Sequence, residues 1–261
     1  MKIEFLTQDD PLYVLPFFEE FVRHYSDEFE ILQVSAFPTM GKRSRSQLLN
    51  ELRHLYGAQG LARLLAGVGA SRCLGLLPRM RGAGRYYSLA QLSRTYGISC
   101  QKLGNPNEKE FIEGFRRRAP DLLISVACPF ILKKELLGIA PLGAVNIHHA
   151  PLPRYKGMMP TFWQMYHGEK SVGVTIHYMV ANVDEGDALY QDALLIEPRE
   201  SLDHLIRRSK RHGAHCMARV LRQIQHNSAT RIPLDHSKGS YFTFPTFEEI
   251  REFRLRGFRA I

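Results

Sequence analysis

Short apolar runs alternate with stretches of helical periodicity through the first half of the chain. The apolar runs predict strands at 2–7, 29–36, 98–100, 121–127 and 142–148. Apolar residues three and four apart predict the intervening helices at 10–25, 46–58, 60–77, 88–95, 107–118 and 132–137. The run 121–127 (DLLISVA) is largely apolar and bounded by prolines, as expected of a strand buried on both faces. This alternation predicts an α/β protein with a mostly parallel, twisted sheet flanked by helices.

The pattern changes after residue 170. Period-two alternation at 172–180 and 188–195 predicts a pair of strands, followed by a long basic helix at 201–226. A short strand at 241–244 and a helix at 246–256 complete the prediction. We therefore expect one domain at 1–230, in which 37–87 forms a helical insertion, and a short C-terminal tail at 231–261. Within the domain, Asn107 is predicted to cap the helix 107–118, with Glu110 at the capping-box position.

Charge is the one unusual feature of the composition. The net charge is +9, and residues 37–120, which include a basic loop at 41–46, carry 15 basic and 4 acidic side chains. Nucleic acid, an anionic membrane and a phosphorylated substrate are the candidate partners of such a chain. A solvated basic face explains the charge equally well.

The segment 60–80 is apolar and rich in small residues, so it is the candidate for a membrane segment. Arg63 and Arg72 interrupt it and Pro78 follows, which predicts a packed or amphipathic helix and no transmembrane span. Attachment to a membrane surface is the alternative. The N-terminus, with Asp9 and Asp10, does not resemble a signal peptide, and the four cysteines show no paired spacing. These features predict reduced thiols and a cytoplasmic location.

Candidate chemistry lies at the end of the predicted strand 142–148. Asn146 and His148 are two residues apart, so both project from one face of the strand, at the edge where α/β sheets bind ligands. An amide can donate to a developing oxyanion, and an imidazole can act as acid, base or donor near neutral pH. The acidic turn 182–187 carries Asp184, Glu185 and Asp187, and a carboxylate there could orient and charge-stabilise His148.

Three motifs in this order resemble a known family. The motifs are Asn146-Ile147-His148, LPRYKG at 152–157 and VDEGD at 183–187. They resemble the 10-formyltetrahydrofolate-dependent formyltransferases, which include the glycinamide ribonucleotide, methionyl-tRNA and nucleotide-sugar N-formyltransferases. The resemblance covers about residues 96–200 and implies a Rossmann-like formyltransferase fold. It implies Asn146, His148 and Asp184 as the catalytic residues. The cofactor-binding positions that it implies are Phe130, Ile131, Leu132, Ala181, Asn182, Val183, Glu185 and Gly186.

The resemblance also implies a mechanism, in which a formyl group passes directly from 10-formyltetrahydrofolate to a neutral amine. Asn146 and protonated His148 would stabilise the oxyanion, and Asp184 would hold His148. The acidic residues at 7–11 replace the glycine-rich phosphate loop of the glycinamide ribonucleotide enzymes, which disfavours that acceptor. The chain after 200 is too short for the C-terminal barrel of the tRNA enzymes, which disfavours nucleic acid as a partner. A small amine, such as a phosphorylated or nucleotide-linked amino sugar, is the expected acceptor.

Several alternatives remain at this stage. The same catalytic set could serve a 10-formyltetrahydrofolate hydrolase or a methionyl-tRNA formyltransferase-like enzyme, and the basic middle could belong to a non-catalytic binding protein. The insertion 37–87 could be a lid over the substrate, the contact of a homodimer or a surface anchor. His212, His215 and Cys216 could share one helix face as metal ligands, but the sequence offers no further ligand nearby, so no metal site is expected.

Overall fold

The computed structural model of the chain describes residues 1–38 and 44–261, so residues 41–43 of the predicted basic loop lie outside the described residues. The strands are β1 (Lys2–Gln8), β2 (Glu30–Phe37), β3 (Cys100–Lys102), β4 (Leu122–Val126), β5 (Ala144–His148), β6 (Lys156–Gly157), β7 (Ser171–Tyr178), β8 (Ala188–Leu195) and β9 (Tyr241–Phe242). The helices are α1 (Leu15–Tyr25), α2 (Arg45–Leu74), α3 (Leu89–Tyr96), α4 (Lys109–Arg118), α5 (Lys134–Leu137), α6 (Pro160–Tyr166), α7 (Leu202–Gln225) and α8 (Phe247–Leu255).

Seven strands form the main sheet in the order β3-β2-β1-β4-β5-β7-β8. The first five are parallel, and β7 and β8 add to one edge as antiparallel strands. The chain leaves β1 toward β2 and β3 on one side and later returns to β4 and β5 on the other. Such a switch point opens a crevice at the carboxyl ends of the strands. The mostly parallel α/β sheet predicted from the sequence is confirmed.

Helices cover both faces of the sheet, which explains why its central strands are mostly apolar on both faces. Phe5 of β1 packs toward α1 and α7, in a cluster that includes Phe21 and Leu221. The neighbouring Leu6 points to the opposite face, where Phe115 of α4 covers it. Because successive side chains of a strand face opposite ways, a strand between two helical layers needs apolar residues on both faces. The buried Glu4 of β1 is an exception, and Arg118 pairs with it.

The insertion forms one long helix, α2, with a break at Gly57. Gly57 has φ 70° and ψ 174°, a left-handed conformation that glycine adopts without steric cost and that interrupts the helix. The sequence predicted two helices, at 46–58 and 60–77; the structure joins them at Gly57 and ends the second at Leu74. No helix in the ranges 1–38 and 44–261 is both long and apolar enough to cross a bilayer.

The predicted starts of two helices were wrong. In each case the side chain expected to cap the helix forms hydrogen bonds with other backbone groups. The helix predicted from residue 10 begins at Leu15, because the carboxylate of Asp10 accepts hydrogen bonds from the backbone N–H groups of Leu12 and Tyr13 and closes a turn instead. The helix predicted from Asn107 begins at 109. The Asn107 side chain instead accepts from the backbone N–H of residue 133 and donates to the carbonyl of residue 131.

The C-terminal residues pack against the rest of the chain. Phe253 of α8 stacks on Phe162 of α6 with 4.7 Å between ring centroids, and the Trp163 indole N–H donates to the carbonyl of Thr243. The predicted strand 241–244 is shorter, at 241–242, and pairs with β6. The predicted domain boundary at residue 230 stays a prediction, and the tail shares an apolar cluster with α2 and α6.

Candidate active site

The carboxyl ends of β1, β4 and β5 open onto a cavity of about 1360 Å³. Pockets for one drug-sized ligand have volumes of roughly 300–1000 Å³. The cavity therefore has room for two ligands side by side. On its wall lie Asn146, His177 and Asp184, which three different elements supply.

Strand pairing brings Asn146 and His177 together. They are register partners on the antiparallel strands β5 and β7, and Asn146 Nδ2 lies 3.1 Å from His177 Nε2. His177 Nδ1 lies 2.9 Å from the carbonyl oxygen of Tyr178. Because a carbonyl only accepts, Nδ1 carries the proton, and in the neutral ring Nε2 accepts from the Asn146 amide. The second amide N–H of Asn146 is then left to donate into the cavity.

Asp184 lies in the turn between β7 and β8, with a positive φ of 55°. Its Oδ2 accepts from the backbone N–H of Gly157 at 3.2 Å and lies 3.6 Å from His148 Nδ1. Its Oδ1 lies 3.5 Å from His177 Nε2. The turn packs directly on β7 at Gly186. The approach is so close that a Cβ on Gly186 would lie 1.9 Å from the Tyr178 carbonyl oxygen. The turn thereby holds the Asp184 carboxylate between the two imidazoles.

His148 lies behind Asp184 and is 7% exposed. Its Nε2 donates to the Tyr155 carbonyl at 2.8 Å, which leaves Nδ1 toward Asp184. Among the described residues that line the cavity, His148 is absent, whereas Asn146 and Asp184 are present. The three predicted catalytic residues are therefore neighbours, with His148 in the layer beneath the other two.

Burial and charge set the protonation of these groups. Burial lowers the pKa of His148 despite the opposing effects of Asp184 and the Tyr155 carbonyl. The protonated His148 expected from the resemblance is thus disfavoured, because desolvation penalises the buried cation. Burial by itself would raise the pKa of Asp184, but His148, His177 and the Gly157 N–H together hold it at about 2. Asp184 is therefore ionised at neutral pH.

Most of the positions proposed for cofactor binding also reach the cavity. The lining includes Phe130, Ile131, Leu132, Ala181, Asn182 and Val183. Ile131 is 68% exposed and Val183 is 41% exposed, so apolar side chains are presented to a ligand there. Glu185 and Gly186 are outside the lining among the described residues. Glu185 instead pairs with Lys156 at 2.9 Å, and Gly186 packs against the backbone of β7.

Sequence reasoning gave no role to His177 and placed Asn107 only as a helix cap. The period-two pattern of β7 could have identified His177. It places His177 on the same face as Thr175 and opposite β5, which carries Asn146 and His148. Asn107, which holds the loop at 130–133 through hydrogen bonds at 2.8 and 3.0 Å, had no such signal. Its partners lie more than 20 residues away.

The helix face that carries His212 and Cys216 meets Asp192 of β8. His212 Nε2 lies 3.2 Å from Asp192 Oδ2 and 3.5 Å from Cys216 Sγ. Burial raises the pKa of the Cys216 thiol to about 12, so the thiol is protonated. His215 turns away from this group and bonds to Tyr25 and Glu20.

The carboxyl edge of the mostly parallel sheet presents an amide, an imidazole and an ionised carboxylate to the cavity. This arrangement is the architecture of an α/β enzyme. Residues 92–221 match the family described as "Formyl transferase". This segment, about half of the chain, contains Asn146, His148 and Asp184, and its match supports a formyltransferase family.

Curated relatives match the same part of the chain. A methionyl-tRNA formyltransferase of Syntrophus aciditrophicus is 39% identical over 147 residues, which are 56% of this chain and 47% of that protein. One from Acetivibrio thermocellus is 35% identical over 132 residues, 51% of this chain and 42% of that protein. The chain thus spans less than half the length of these two relatives.

Solved structures share the fold at low sequence identity. A sugar N-formyltransferase from Shewanella aligns with a TM-score of 0.56 at 17% identity, covering 93% of this chain and 76% of that one. Glycinamide ribonucleotide transformylase 1 from Symbiobacterium toebii aligns with a TM-score of 0.59 at 16% identity, covering 90% of this chain and 94% of that one. These likenesses establish the formyltransferase fold over most of the chain.

Proposed function

We propose that this protein transfers a formyl group from 10-formyltetrahydrofolate to the amine of a small acceptor. The observation that carries the proposal is that the Asn146 amide and the Asp184 carboxylate, each within 3.5 Å of His177 Nε2, lie on one wall of a cavity large enough for two ligands. The match of residues 92–221 to the formyltransferase family supports the same reaction class.

The attack of a neutral amine on a formyl carbon develops negative charge on oxygen and positive charge on nitrogen. Asn146 is assigned to the oxygen, because the amide N–H not used by His177 can donate to it. Asp184, which is ionised, is assigned to the nitrogen, where it stabilises the positive charge and accepts the proton directly or through water. His148 is assigned to support Asp184 from beneath by packing, with its Nδ1 3.6 Å from Oδ2.

The residues at one end of the cavity suit a folate. 10-Formyltetrahydrofolate supplies the formyl group when bound. Phe130, Ile131, Leu132 and Val183 offer apolar surface for a flat ring, and the backbone of 180–184 offers polar groups at its edge. The hydrogen bonds of Asn107 keep the loop at 130–133 in position for this contact.

The acceptor expected from the sequence is a small amine such as an amino sugar. Methionyl-tRNA is the second candidate, because the curated relatives with 39% and 35% identity are methionyl-tRNA formyltransferases. Neither acceptor changes the roles assigned to Asn146 and Asp184.

The test is formation of tetrahydrofolate by the purified chain, with and without candidate amines, with mass detection of the formylated product. We expect tetrahydrofolate to form only when an acceptor is present. Tetrahydrofolate with no acceptor would indicate the hydrolase instead. No consumption with amino-sugar nucleotides, glycinamide ribonucleotide or methionyl-tRNA would contradict the proposal.

Substitutions of the two residues on this wall of the cavity test the roles assigned to them. Asn146→Ala and Asp184→Ala should each lower kcat by on the order of 10²–10³, the usual effect of removing a group that stabilises transition-state charge. Asp187→Asn is the matched control, since Asp187 carries the same acidic group three residues away and lies 3.9 Å from Arg231. It should retain the wild-type rate. Equal losses in all three variants would contradict the assignment.

A further inference from the structure

A histidine, a cysteine and an aspartate meet where α7 packs on β8, away from the cavity of the candidate active site. His212 and Cys216 lie four residues apart on α7, so they share one face of the helix. Asp192 of β8 supplies a third group, which the sequence alone did not reveal. Among the described residues that line the cavity, none of these three is present. The cluster therefore has no part in the catalytic roles assigned above.

The three side chains have the spacing of ligands in a tetrahedral zinc site. His212 Nε2 lies 3.2 Å from Asp192 Oδ2 and 3.5 Å from Cys216 Sγ, and this Sγ lies 3.9 Å from the same Oδ2. Zinc bonds of about 2.0 Å to nitrogen or oxygen and about 2.3 Å to sulfur, at tetrahedral angles, place the ligand atoms about 3.3–3.6 Å apart. A zinc ion at the centre of the cluster would therefore reach all three atoms after side-chain shifts of only a few tenths of an ångström.

Hydrogen bonds already orient the carboxylate of Asp192 toward the cluster. Its Oδ1 accepts from the backbone N–H of Ala193 at 2.8 Å, and its Oδ2 accepts from the Tyr190 hydroxyl at 3.2 Å. Metal-binding carboxylates in proteins are commonly held by such outer hydrogen bonds. The side chains of Asp192 and His212 are 37% and 27% exposed, whereas Cys216 is buried. Water therefore has access to a fourth ligand position on the exposed side of the cluster.

The charge of the cluster favours a cation. Within the ranges 1–38 and 44–261, no lysine or arginine nitrogen lies within 4 Å of the Asp192 carboxylate. Arg219 of the same helix donates to the Tyr190 hydroxyl at 3.3 Å and lies over that ring. An ion pair between protonated His212 and Asp192 is the alternative arrangement, but it does not involve the Cys216 thiol. A zinc ion uses all three groups.

A second cluster of possible metal ligands differs on this point. Glu197, Glu200 and His204 also lie close together. The Arg208 guanidinium, however, binds Glu200 at 2.7 Å and lies 3.7 Å from Glu197. An arginine therefore already supplies the positive charge there, and the cluster contains no sulfur ligand.

We propose that Asp192, His212 and Cys216 bind one zinc ion, with water as the fourth ligand. Zinc accepts thiolate, imidazole and carboxylate together in tetrahedral geometry, whereas magnesium and calcium require oxygen ligands. Binding forms bonds from the metal to Sγ, Nε2 and Oδ2 and releases the thiol proton to solvent. The ion links β8 to α7 and stabilises their packing. This site is independent of the proposed formyl transfer.

Titration of the reduced, chelator-treated full chain with Co²⁺ and Zn²⁺ tests the proposal. Co²⁺ replaces Zn²⁺ in such sites, where a thiolate bond gives a charge-transfer band in the near ultraviolet and tetrahedral geometry gives intense visible bands. We expect both bands to saturate at one Co²⁺ per chain and to disappear when Zn²⁺ is added. Competition with a chromophoric chelator should give a Kd for zinc below about 10 µM. Weaker zinc binding, or absence of the charge-transfer band, overturns the proposal.

Matched variants locate the metal. Cys216→Ser should abolish the charge-transfer band, and Asp192→Asn should keep the band but weaken zinc binding by about tenfold or more. His215→Gln is the control on the same helix, because His215 turns away from the cluster and bonds to Tyr25. Cys73→Ser is the control for an exposed thiol. Both controls should bind the metal as wild type does. A band that persists in Cys216→Ser, or that is lost in Cys73→Ser, places the metal elsewhere and overturns the proposal.

Thermal unfolding distinguishes loss of the site from loss of the fold. Zinc should raise the Tm of the wild-type chain, because it binds the folded state, and EDTA should reverse the rise. Zinc should raise the Tm of Asp192→Asn much less, and this substitution at a partly exposed position serves as the test if Cys216→Ser does not fold. An equal rise in wild type and Asp192→Asn, or no rise in wild type, overturns the proposal. Because the readouts are metal binding and unfolding, failure of formyl transfer in the earlier assay is a separate result.

Discussion

Asn146 and His177 face each other across β5 and β7, with the amide nitrogen 3.1 Å from His177 Nε2. This contact fixes the amide of a side chain that would otherwise rotate, and it leaves one N–H directed at the cavity. His177 also lies 3.5 Å from Asp184. One imidazole therefore lies against both of the groups assigned to the developing charges and fixes the amide directly.

Replacing His177 should affect catalysis more than binding. His177→Phe keeps a flat ring but removes both polar contacts, so we expect kcat to fall about tenfold while KM for 10-formyltetrahydrofolate stays close to wild type. His177→Gln, whose carbonyl can accept from Asn146, should restore part of kcat. Steady-state kinetics of both variants check this. A rise in KM alone would contradict a positioning role.

The ionised state of Asp184 should stabilise the fold in a defined pH range. Its folded-state pKa of about 2 lies below the ordinary value of 3.8, so the unfolded chain takes up the proton first as the pH falls. The stabilisation is fully present above about pH 4 and is lost toward pH 2, and it amounts to about 2 kcal/mol. Urea unfolding of wild type and Asp184→Asn should therefore differ most at neutral pH. A difference that grows below pH 4 would contradict this.

Gly186 should tolerate no side chain. A Cβ there would lie 1.9 Å from the backbone oxygen of Tyr178, which cannot move without disturbing β7. We expect Gly186→Ala to destabilise the fold by about 2–3 kcal/mol. Gly69→Ala is the control, because Gly69 lies in α2 with nothing within 4 Å of its Cβ position. Higher helix propensity should make it neutral or stabilising by up to about 1 kcal/mol. Denaturant unfolding of the two variants provides the comparison.

The carboxylate of Glu4 is fully buried in β1 and depends on Arg118. The guanidinium donates two hydrogen bonds to it, at 2.7 and 2.8 Å. Arg118→Met leaves this carboxyl without its cation, which should cost about 3–5 kcal/mol of unfolding free energy. The double variant Glu4→Met with Arg118→Met should be more stable than Arg118→Met alone. If the double variant is instead less stable than Arg118→Met, the unpaired Glu4 carboxyl is not the source of the cost.

The elements of the sheet could be predicted because their patterns are local. The apolar run at β4 and the period-two alternation of β7 and β8 follow from burial on one or both faces, which the residues themselves report. Helix starts were predicted less well. Asp10 and Asn107 are good capping residues, but each binds backbone groups that only the folded chain brings near.

The sequence by itself determined the α/β sheet, the shared face of Asn146 and His148, and the turn that carries Asp184. Two-residue spacing and turn composition are sufficient for these features, because they depend on neighbours along the chain. Only the tertiary structure decided that His148 lies beneath Asp184, that His177 bonds to Asn146, and that α2 and Lys210 line one cavity. Those contacts join residues tens to more than a hundred positions apart, and the packing of whole elements sets their geometry.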